Sequence, residues 1–350
     1  MDIHETYMHR CLELAELGSG QVAPNPMVGA LLVHDGMIIS EGYHERYGEA
    51  HAEVNCINNV PGHQKHLIKE SILYVSLEPC THFGRTPPCV DLIIRSRIPS
   101  VVIGCKDSFE KVNGTGIERL KEAGIEVTVG IMEKESLELN KRFFTFQKEQ
   151  RPYIILKWAQ SHDLKIANAD QTSVKISNEL TNRLVHKWRS EEAAIMVGTR
   201  TAIQDDPILS SRLVQGNDPV RIVIDKFLKI PSTHHLLDNS IPTIIINTIR
   251  QAEEGNTTYY KTGASENMIA VTLSILRQRN LISLLVEGGT ILLQSLIDSG
   301  MWDEARIITN QKLFLGSGIN APVVNSIPKK KEIIRDDEII YYSQKNSVTL

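Results

Sequence analysis

Four residues stand at spacings that suit metal-assisted chemistry: His51 and Glu53 in "HAE", and Cys80 and Cys89 on either side of "THFGRTPP". The two cysteines read three ways, as a disulfide pair, as unrelated thiols, or as ligands of one metal. The chain has 5 cysteines in 350 residues (Cys11, Cys56, Cys80, Cys89, Cys105), an odd count that argues against a disulfide framework. A His51/Cys80/Cys89 set leaves one position of a tetrahedral zinc open, and an open position separates a catalytic zinc from a closed structural one. A water in that position has its pKa lowered to about 7. Glu53, near the metal but not on it, is placed to take the water's proton and hand it to a leaving amine. His82, between the cysteines, is the rival ligand. Cys11, Cys56 and Cys105 read as small buried residues.

The elements around these residues alternate. A helix is expected from about Thr6 to Leu17. "MVGALLVHDGMIISEGYH" reads as two strands joined at Asp35-Gly36, a hairpin signal. "AHAEVNCINNV" starts a helix, and "SILYVSLEPC" is a buried strand running into a loop. "PPCVDLIIRSRI" is a proline-led helix, "SVVIGCKD" a strand, and "GIERLKEAGIEVTVG" a helix, a glycine stop and a strand. Cys80 after a strand and Cys89 after two prolines are both expected near helix starts, where the helix dipole favours a thiolate. The succession predicts a three-layer α/β domain. A single charged helix, "MEKESLELNKRFFTFQKEQ", closes residues 1–146, and a second, larger α/β domain spans 151–350. There the order is strand, helix, three strands, helix, strand, helix and two strands. Lys329-Lys330-Lys331 reads as a solvated turn. No G-x-G-x-x-G follows a strand, so a Rossmann site is not supported. "VEGGTILLQ" still offers Gly288, Gly289 and Thr290 at a helix start, where free N–H groups suit a phosphate; a plain tight turn reads equally well.

The net charge of −4 predicts no field for nucleic acid or an anionic membrane. No apolar run reaches the roughly 18 residues of a membrane span. "MDIHETYMHR" lacks the basic start and apolar stretch of a signal peptide, which makes the cytoplasm the expected setting.

The order H-x-E, then P-C, then a second cysteine is the pattern of zinc deaminases. "PNPMVGALLV", "GYHERYGEAHAEV" and "LEPCTHFGRTPPC" resemble the deaminase domain of the bifunctional riboflavin-biosynthesis deaminase–reductases. The long insert between the cysteines points to that branch. The resemblance implies a cytidine-deaminase-like fold, one zinc, and 2,5-diamino-6-ribosylamino-4(3H)-pyrimidinone 5′-phosphate as substrate, with Asn25 and His44 in its pocket. "KWAQSHDLKIA", "VGTRTAIQDDPILSSR", "PVRIVID" and "VEGGTILLQSLI" resemble the reductase domain of the same family. That resemblance implies a dihydrofolate-reductase-like fold using NADPH to reduce the ribosyl group of the deaminated product. It places substrate at Lys157, Ser173, Arg189, Leu209, Arg212 and Glu287. It places cofactor at Ala159, Thr201, Asp205 and the turn Gly289, Thr290, Ile291, Leu292, Leu293, Gln294 and Ser295, and Lys175 is suited to meet a cofactor phosphate. Arg189 and Arg212 are suited to a phosphate, and Asp205 and Glu287 to hydroxyl and amino groups. Two departures stand out. Leu164 replaces a glycine of the family pattern, which implies a changed loop, and Lys175 replaces an aromatic residue. A homo-oligomer acting on a small phosphorylated pyrimidine is expected. Two rival readings remain: a deaminase of nucleotides or RNA with an accessory binding domain, and a zinc-stabilised binding protein without turnover.

Overall fold

Strand residues in the first part of the chain alternate between two buried faces, and this alternation builds the layers. The computed structural model describes residues 2–83, 87–107, 114–170, 172 and 174–344. The chain divides between Gln150 and Arg151 into two units.

The first unit runs α1 (Ile3–Glu16), β1 (Gly29–His34), β2 (Met37–Tyr43), α2 (Ala52–Asn58), β3 (Ile72–Leu77), α3 (Cys89–Arg95), β4 (Ser100–Cys105), α4 (Thr115–Glu122), β5 (Glu126–Val129), α5 (Glu133–Leu139) and α6 (Lys141–Lys148). Its five strands are ordered β2-β1-β3-β4-β5. β1 pairs antiparallel with β2 and β3, and β3, β4 and β5 are parallel. Asp35 and Gly36 turn the hairpin with φ of 46° and 74°, the left-handed pair that matches strand twist. Ala30, Leu32, Leu73, Val75, Val101 and Ile103 pack on one face with α2, α3 and α4. Leu31, Val33, Tyr74 and Val102 point the other way, onto α1. The period of two thus yields helix, sheet, helix.

Two expectations are corrected here. α1 starts at Ile3 rather than near Thr6, because the Asp2 N–H donates to Glu5 Oε2 at 3.1 Å and caps the helix early. The single charged helix is two, broken at Asn140. Asn140 Oδ1 accepts the Met27 N–H at 2.8 Å and its amide donates to the Met27 carbonyl at 2.9 Å. Beyond the break, Phe143, Phe144 and Phe146 are buried.

The second unit runs β6 (Tyr153–Ser161), β7 (Lys165–Ala167), α7 (Glu179–Glu191), β8 (Ala194–Gly198), α8 (Thr199–Asp205), β9 (Val220–Ile224), β10 (Thr243–Asn247), β11 (Ala252–Glu254), β12 (Thr257–Lys261), α9 (Met268–Gln278), β13 (Ser283–Val286), α10 (Thr290–Asp298), β14 (Glu304–Asn310), β15 (Ile319–Asn320), β16 (Pro328–Ile334) and β17 (Asp337–Ser343). A ten-stranded sheet has the order β11-β12-β10-β9-β8-β13-β6-β14-β17-β16. From β12 to β14 the strands run parallel. One face packs Ile154, Leu156, Met196 and Val286 against α9 and α10. The other packs Ile155, Ile195, Val197 and Leu285 with Ala202 and Leu209. Residues Lys329-Lys330-Lys331, read as a turn, lie in the edge strand β16. Lysines blunt a sheet edge against further pairing, so the charge run has a strand explanation. The short helix α8 and the β11–β12 hairpin were not anticipated. Among the described residues, no helix is long and apolar enough to cross a membrane.

Candidate active sites

In the first unit, two helix starts bring the predicted ligands together. His51 is the N-cap of α2, and Cys89 is the first residue of α3. Cys80 follows β3 and is held by α3: the Cys89 N–H donates to its sulfur at 3.4 Å, and the Val90 N–H to its carbonyl at 3.3 Å. His51 Nδ1 lies 3.6 Å from Cys80 Sγ and 3.4 Å from Cys89 Sγ. The three ligand atoms lie within 4.8 Å of one another. Zinc bonds of about 2.0 Å to nitrogen and about 2.3 Å to sulfur, at a tetrahedral angle, separate N from S by about 3.5 Å. The donor set and its spacing therefore fit zinc. His82 is exposed and outside this cluster.

Cys80 is pulled down to about 4 by a hydrogen bond from Cys89, with burial opposing and His51 assisting. Glu53 is 3% exposed. Burial, then the Cys80 sulfur, pushes its carboxyl up to about 7, with His51 opposing. A cation on the three ligands acts in the lowering direction.

Asn25 and His44 join the same site. The Asn25 amide nitrogen is 3.2 Å from His44 Nε2, and His44 Nδ1 is 3.0 Å from the Ala50 carbonyl. A carbonyl only accepts, so Nδ1 carries the proton and Nε2 accepts from Asn25. The Asn25 Oδ1 remains the acceptor of the amide. Burial lowers the His44 pKa and favours the neutral ring. Cys11, Cys56 and Cys105 are buried, as expected.

In the second unit a cavity of about 870 Å³ opens beyond the carboxyl ends of β8, β9 and β13, where α/β sheets bind ligands. Its walls include Lys157, Ala159, Thr201, Asp205, Glu287, Gly289, Thr290, Ile291, Leu292 and Ser295. Gly289 is the N-cap of α10. A side chain there would approach Thr201 Oγ1 at 3.3 Å, so glycine lets the helix start crowd α8. The residue sequence Gly289–Ser295 is a helix rather than a turn, and its period separates the residues. Leu293 is fully buried in the core, and Gln294 accepts the Val323 N–H at 3.0 Å, away from the cavity. Lys175 is exposed and lies off the cavity wall. Ser173 lies outside the described residues.

Glu287 organises the other predicted residues. Its carboxylate accepts from Arg189 Nε at 2.8 Å and Nη2 at 2.9 Å, and from Lys157 Nζ at 3.2 Å. Arg189 Nη1 donates to the Ser210 carbonyl at 3.1 Å, and Arg212 Nη1 to Ser210 Oγ at 3.1 Å. Burial pushes Glu287 up, but Arg189 and Lys157 overcome it and hold the carboxyl at about 2. The Arg189 fork is thus engaged by Glu287 and Ser210. Glu287 likewise meets cations of the protein first. Leu209 has φ of 56° and a side chain 2% exposed, packed in the core. Leu164 takes φ of 61°, the region a glycine adopts freely. Asp163 secures the turn by accepting from the Leu315 N–H at 3.1 Å and the Gly316 N–H at 2.7 Å.

The sequence reading missed Glu78. Both of its oxygens accept backbone N–H groups, from Asp107, Gly114, Gly116 and Ile117. The only local signal was its place two residues before Cys80.

A three-layer unit with a His/Cys/Cys site and a buried glutamate, followed by a parallel-sheet unit with a cofactor-sized cavity, defines a two-domain deaminase–reductase. Residues 1–105 match the family described as "Cytidine and deoxycytidylate deaminase zinc-binding region", and residues 152–336 match "RibD C-terminal domain". The chain is 38% identical to riboflavin biosynthesis protein RibD of Aquifex aeolicus, covering 98% of this chain and 99% of that protein. It is 34% identical to RibD of Escherichia coli, covering 89% of each. A solved structure from Thermotoga maritima, a diaminohydroxyphosphoribosylaminopyrimidine deaminase/5-amino-6-(5-phosphoribosylamino)uracil reductase, is similar with a TM-score of 0.90. It is 33% identical, with 97% of this chain and 98% of that chain covered. Acinetobacter baumannii RibD is similar with a TM-score of 0.89 at 27% identity, covering 97% and 98%. The chain belongs to the RibD family of bifunctional riboflavin-biosynthesis deaminase–reductases. It combines a zinc-dependent deaminase with an NADPH-dependent reductase.

Proposed function

We propose that residues 1–146 deaminate 2,5-diamino-6-ribosylamino-4(3H)-pyrimidinone 5′-phosphate, and that residues 151–350 reduce the ribosyl group of the product, 5-amino-6-(5-phosphoribosylamino)uracil, to the ribityl form. The observation that carries the reading is the zinc-sized triangle of His51, Cys80 and Cys89 with buried Glu53 beside it.

In the deamination, water adds to the ring carbon, its C–NH2 bond breaks, and ammonia leaves. His51 Nδ1 and the two sulfurs would hold the zinc, which would supply the Lewis acidity that makes water nucleophilic at neutral pH. Glu53 takes the proton of the attacking water and passes it to the departing amine. The Asn25 Oδ1, oriented through His44, accepts an N–H of the pyrimidine edge.

In the reduction, NADPH supplies the hydride. The N–H groups at the start of α10 would hold the cofactor's phosphates, and Ala159, Thr201 and Asp205 line the cavity that would receive it. Lys157, fixed by Glu287, contacts the sugar. Arg212, exposed and bonded to Ser210, takes the substrate phosphate. The chain works in the cytoplasm as a homo-oligomer on a small molecule, and its net charge of −4 disfavours an RNA substrate.

The test supplies the diaminopyrimidine phosphate to the purified chain and follows ammonia, NADPH and bound zinc separately. Ammonia first, then NADPH oxidation, is expected. Zinc-loaded protein that releases no ammonia would defeat the deaminase assignment, and an NADPH level unmoved by the deaminated intermediate would defeat the reductase assignment.

A further inference from the structure

Glu78 lies between β3 and Cys80 and is 4% exposed. Its Oε2 accepts the Asp107 N–H at 3.2 Å and the Gly114 N–H at 3.0 Å. Its Oε1 accepts the Gly116 N–H at 2.9 Å and the Ile117 N–H at 3.3 Å. Gly116 and Ile117 are the second and third residues of α4, whose N-cap is Gly114. A glycine N-cap has no side chain to satisfy those amides, so Glu78 caps the helix from another part of the chain. A carboxylate at a helix start is also favoured by the helix dipole.

The same segment is fastened to α4 at two further points. Thr81 Oγ1 is 3.1 Å from Thr115 Oγ1. A side chain on Gly116 would meet the Pro79 carbonyl at 2.4 Å, so Glu78, Pro79 and Thr81 all bear on the first turn of α4. Cys80 is enclosed between these contacts, with its sulfur 3.6 Å from His51 Nδ1.

We propose that Glu78 is a positioning residue of the deaminase site: by capping α4 it fixes the Glu78–Thr81 segment and holds Cys80 at ligand distance. It touches neither metal nor substrate. Its effect passes through one ligand, so it sets how long the metal stays and how the reacting water is aimed, not how the pyrimidine binds. The proposal rests on zinc at His51, Cys80 and Cys89.

Glu78→Gln keeps the shape but puts an NH2 group where an oxygen accepted two N–H donors. The full chain carrying E78Q, loaded with zinc, is mixed with a chromophoric chelator and release is timed. Release at least tenfold faster than wild type is expected, with kcat for ammonia at least tenfold lower and KM within twofold. The cobalt-substituted protein should show altered visible band intensity, and Glu78→Asp should restore part of the slow release. Wild-type release and kcat in E78Q overturn the proposal. Should E78Q not fold, Gly116→Ala keeps the Glu78 side chain but crowds both the Pro79 carbonyl at 2.4 Å and Glu78 Oε1 at 3.1 Å. Faster release in G116A supports the proposal, and unchanged release overturns it. Wild-type protein that binds no zinc defeats the metal-site reading itself, whereas zinc-loaded wild type beside an unaffected variant defeats only the role of Glu78.

Discussion

Replacing Glu287 with alanine should destabilise the second unit strongly and leave the first untouched. Glu287 neutralises two cations that have little other solvation: the side chains of Lys157, Arg189 and Glu287 are 12%, 13% and 8% exposed. Its three charge-assisted bonds span 2.8 to 3.2 Å. Removing one partner of a buried ion pair costs about 3–5 kcal/mol, because the remaining charge is left uncompensated. Here one deletion strands two cations, so about 4 kcal/mol is a moderate expectation. For a unit of this size that lowers the unfolding midpoint by about 8–16 °C. The assay is selective by composition. All 3 tryptophans, Trp158, Trp188 and Trp302, lie in the second unit, and each is at most 5% exposed. Tryptophan emission therefore follows this unit alone, while bound zinc reports the first. The double variant Glu287→Ala with Arg189→Met should recover much of the loss, since it removes one of the stranded charges. A midpoint for E287A within 2 °C (about 1 kcal/mol or less) of wild type would refute the reasoning. So would a double variant no more stable than E287A.

Three further outcomes can be measured. Glu53→Gln should retain zinc and lose ammonia release by about 10²–10⁴-fold, the usual contribution of a general acid–base group; deamination at the wild-type rate would remove Glu53 from its role. Cys80→Ser should lose zinc by elemental analysis while still oxidising NADPH when given the deaminated intermediate, and full zinc occupancy would count against ligation. Glu287 is held at about 2, below its ordinary 4.5, so its stabilisation is present above about pH 4.5 and drains away as the pH falls towards about 2. The tryptophan midpoint should drop over that window more steeply in wild type than in E287Q, and parallel curves would contradict the shift.

The parts of this protein that were legible in the sequence are those written in local spacing. Strands announced themselves through apolar alternation, as in Leu31/Val33 against Ala30/Leu32, which the fold sends to opposite faces. Two of the metal ligands were legible because they sit at element starts marked by their neighbours: His51 before α2, Cys89 after two prolines at α3. Lys329-Lys330-Lys331 misled because charge on a strand resembles charge on a turn unless the strand is known to be an edge. Leu164 shows a different limit: its left-handed φ of 61° is not legible from its residue type. A non-glycine residue can hold a left-handed turn when hydrogen bonds such as those of Asp163 determine it, and no residue type reports such bonds.

What spacing cannot carry is a buried charge whose partner arrives from elsewhere in the chain. Arg189 and Glu287 are 98 residues apart, and Lys157 and Glu287 are 130 apart. Read singly, each looked available to a ligand. Folding pairs them: Arg189 is enclosed with Glu287, whereas Arg212 is exposed. Glu78 follows the same logic with backbone partners, reaching Gly116 38 positions away. A motif thus names the residues that meet the substrate more readily than those that aim them. The aiming groups satisfy donors brought together only by the tertiary fold, so their chemistry becomes visible when every buried acceptor is asked which N–H it serves.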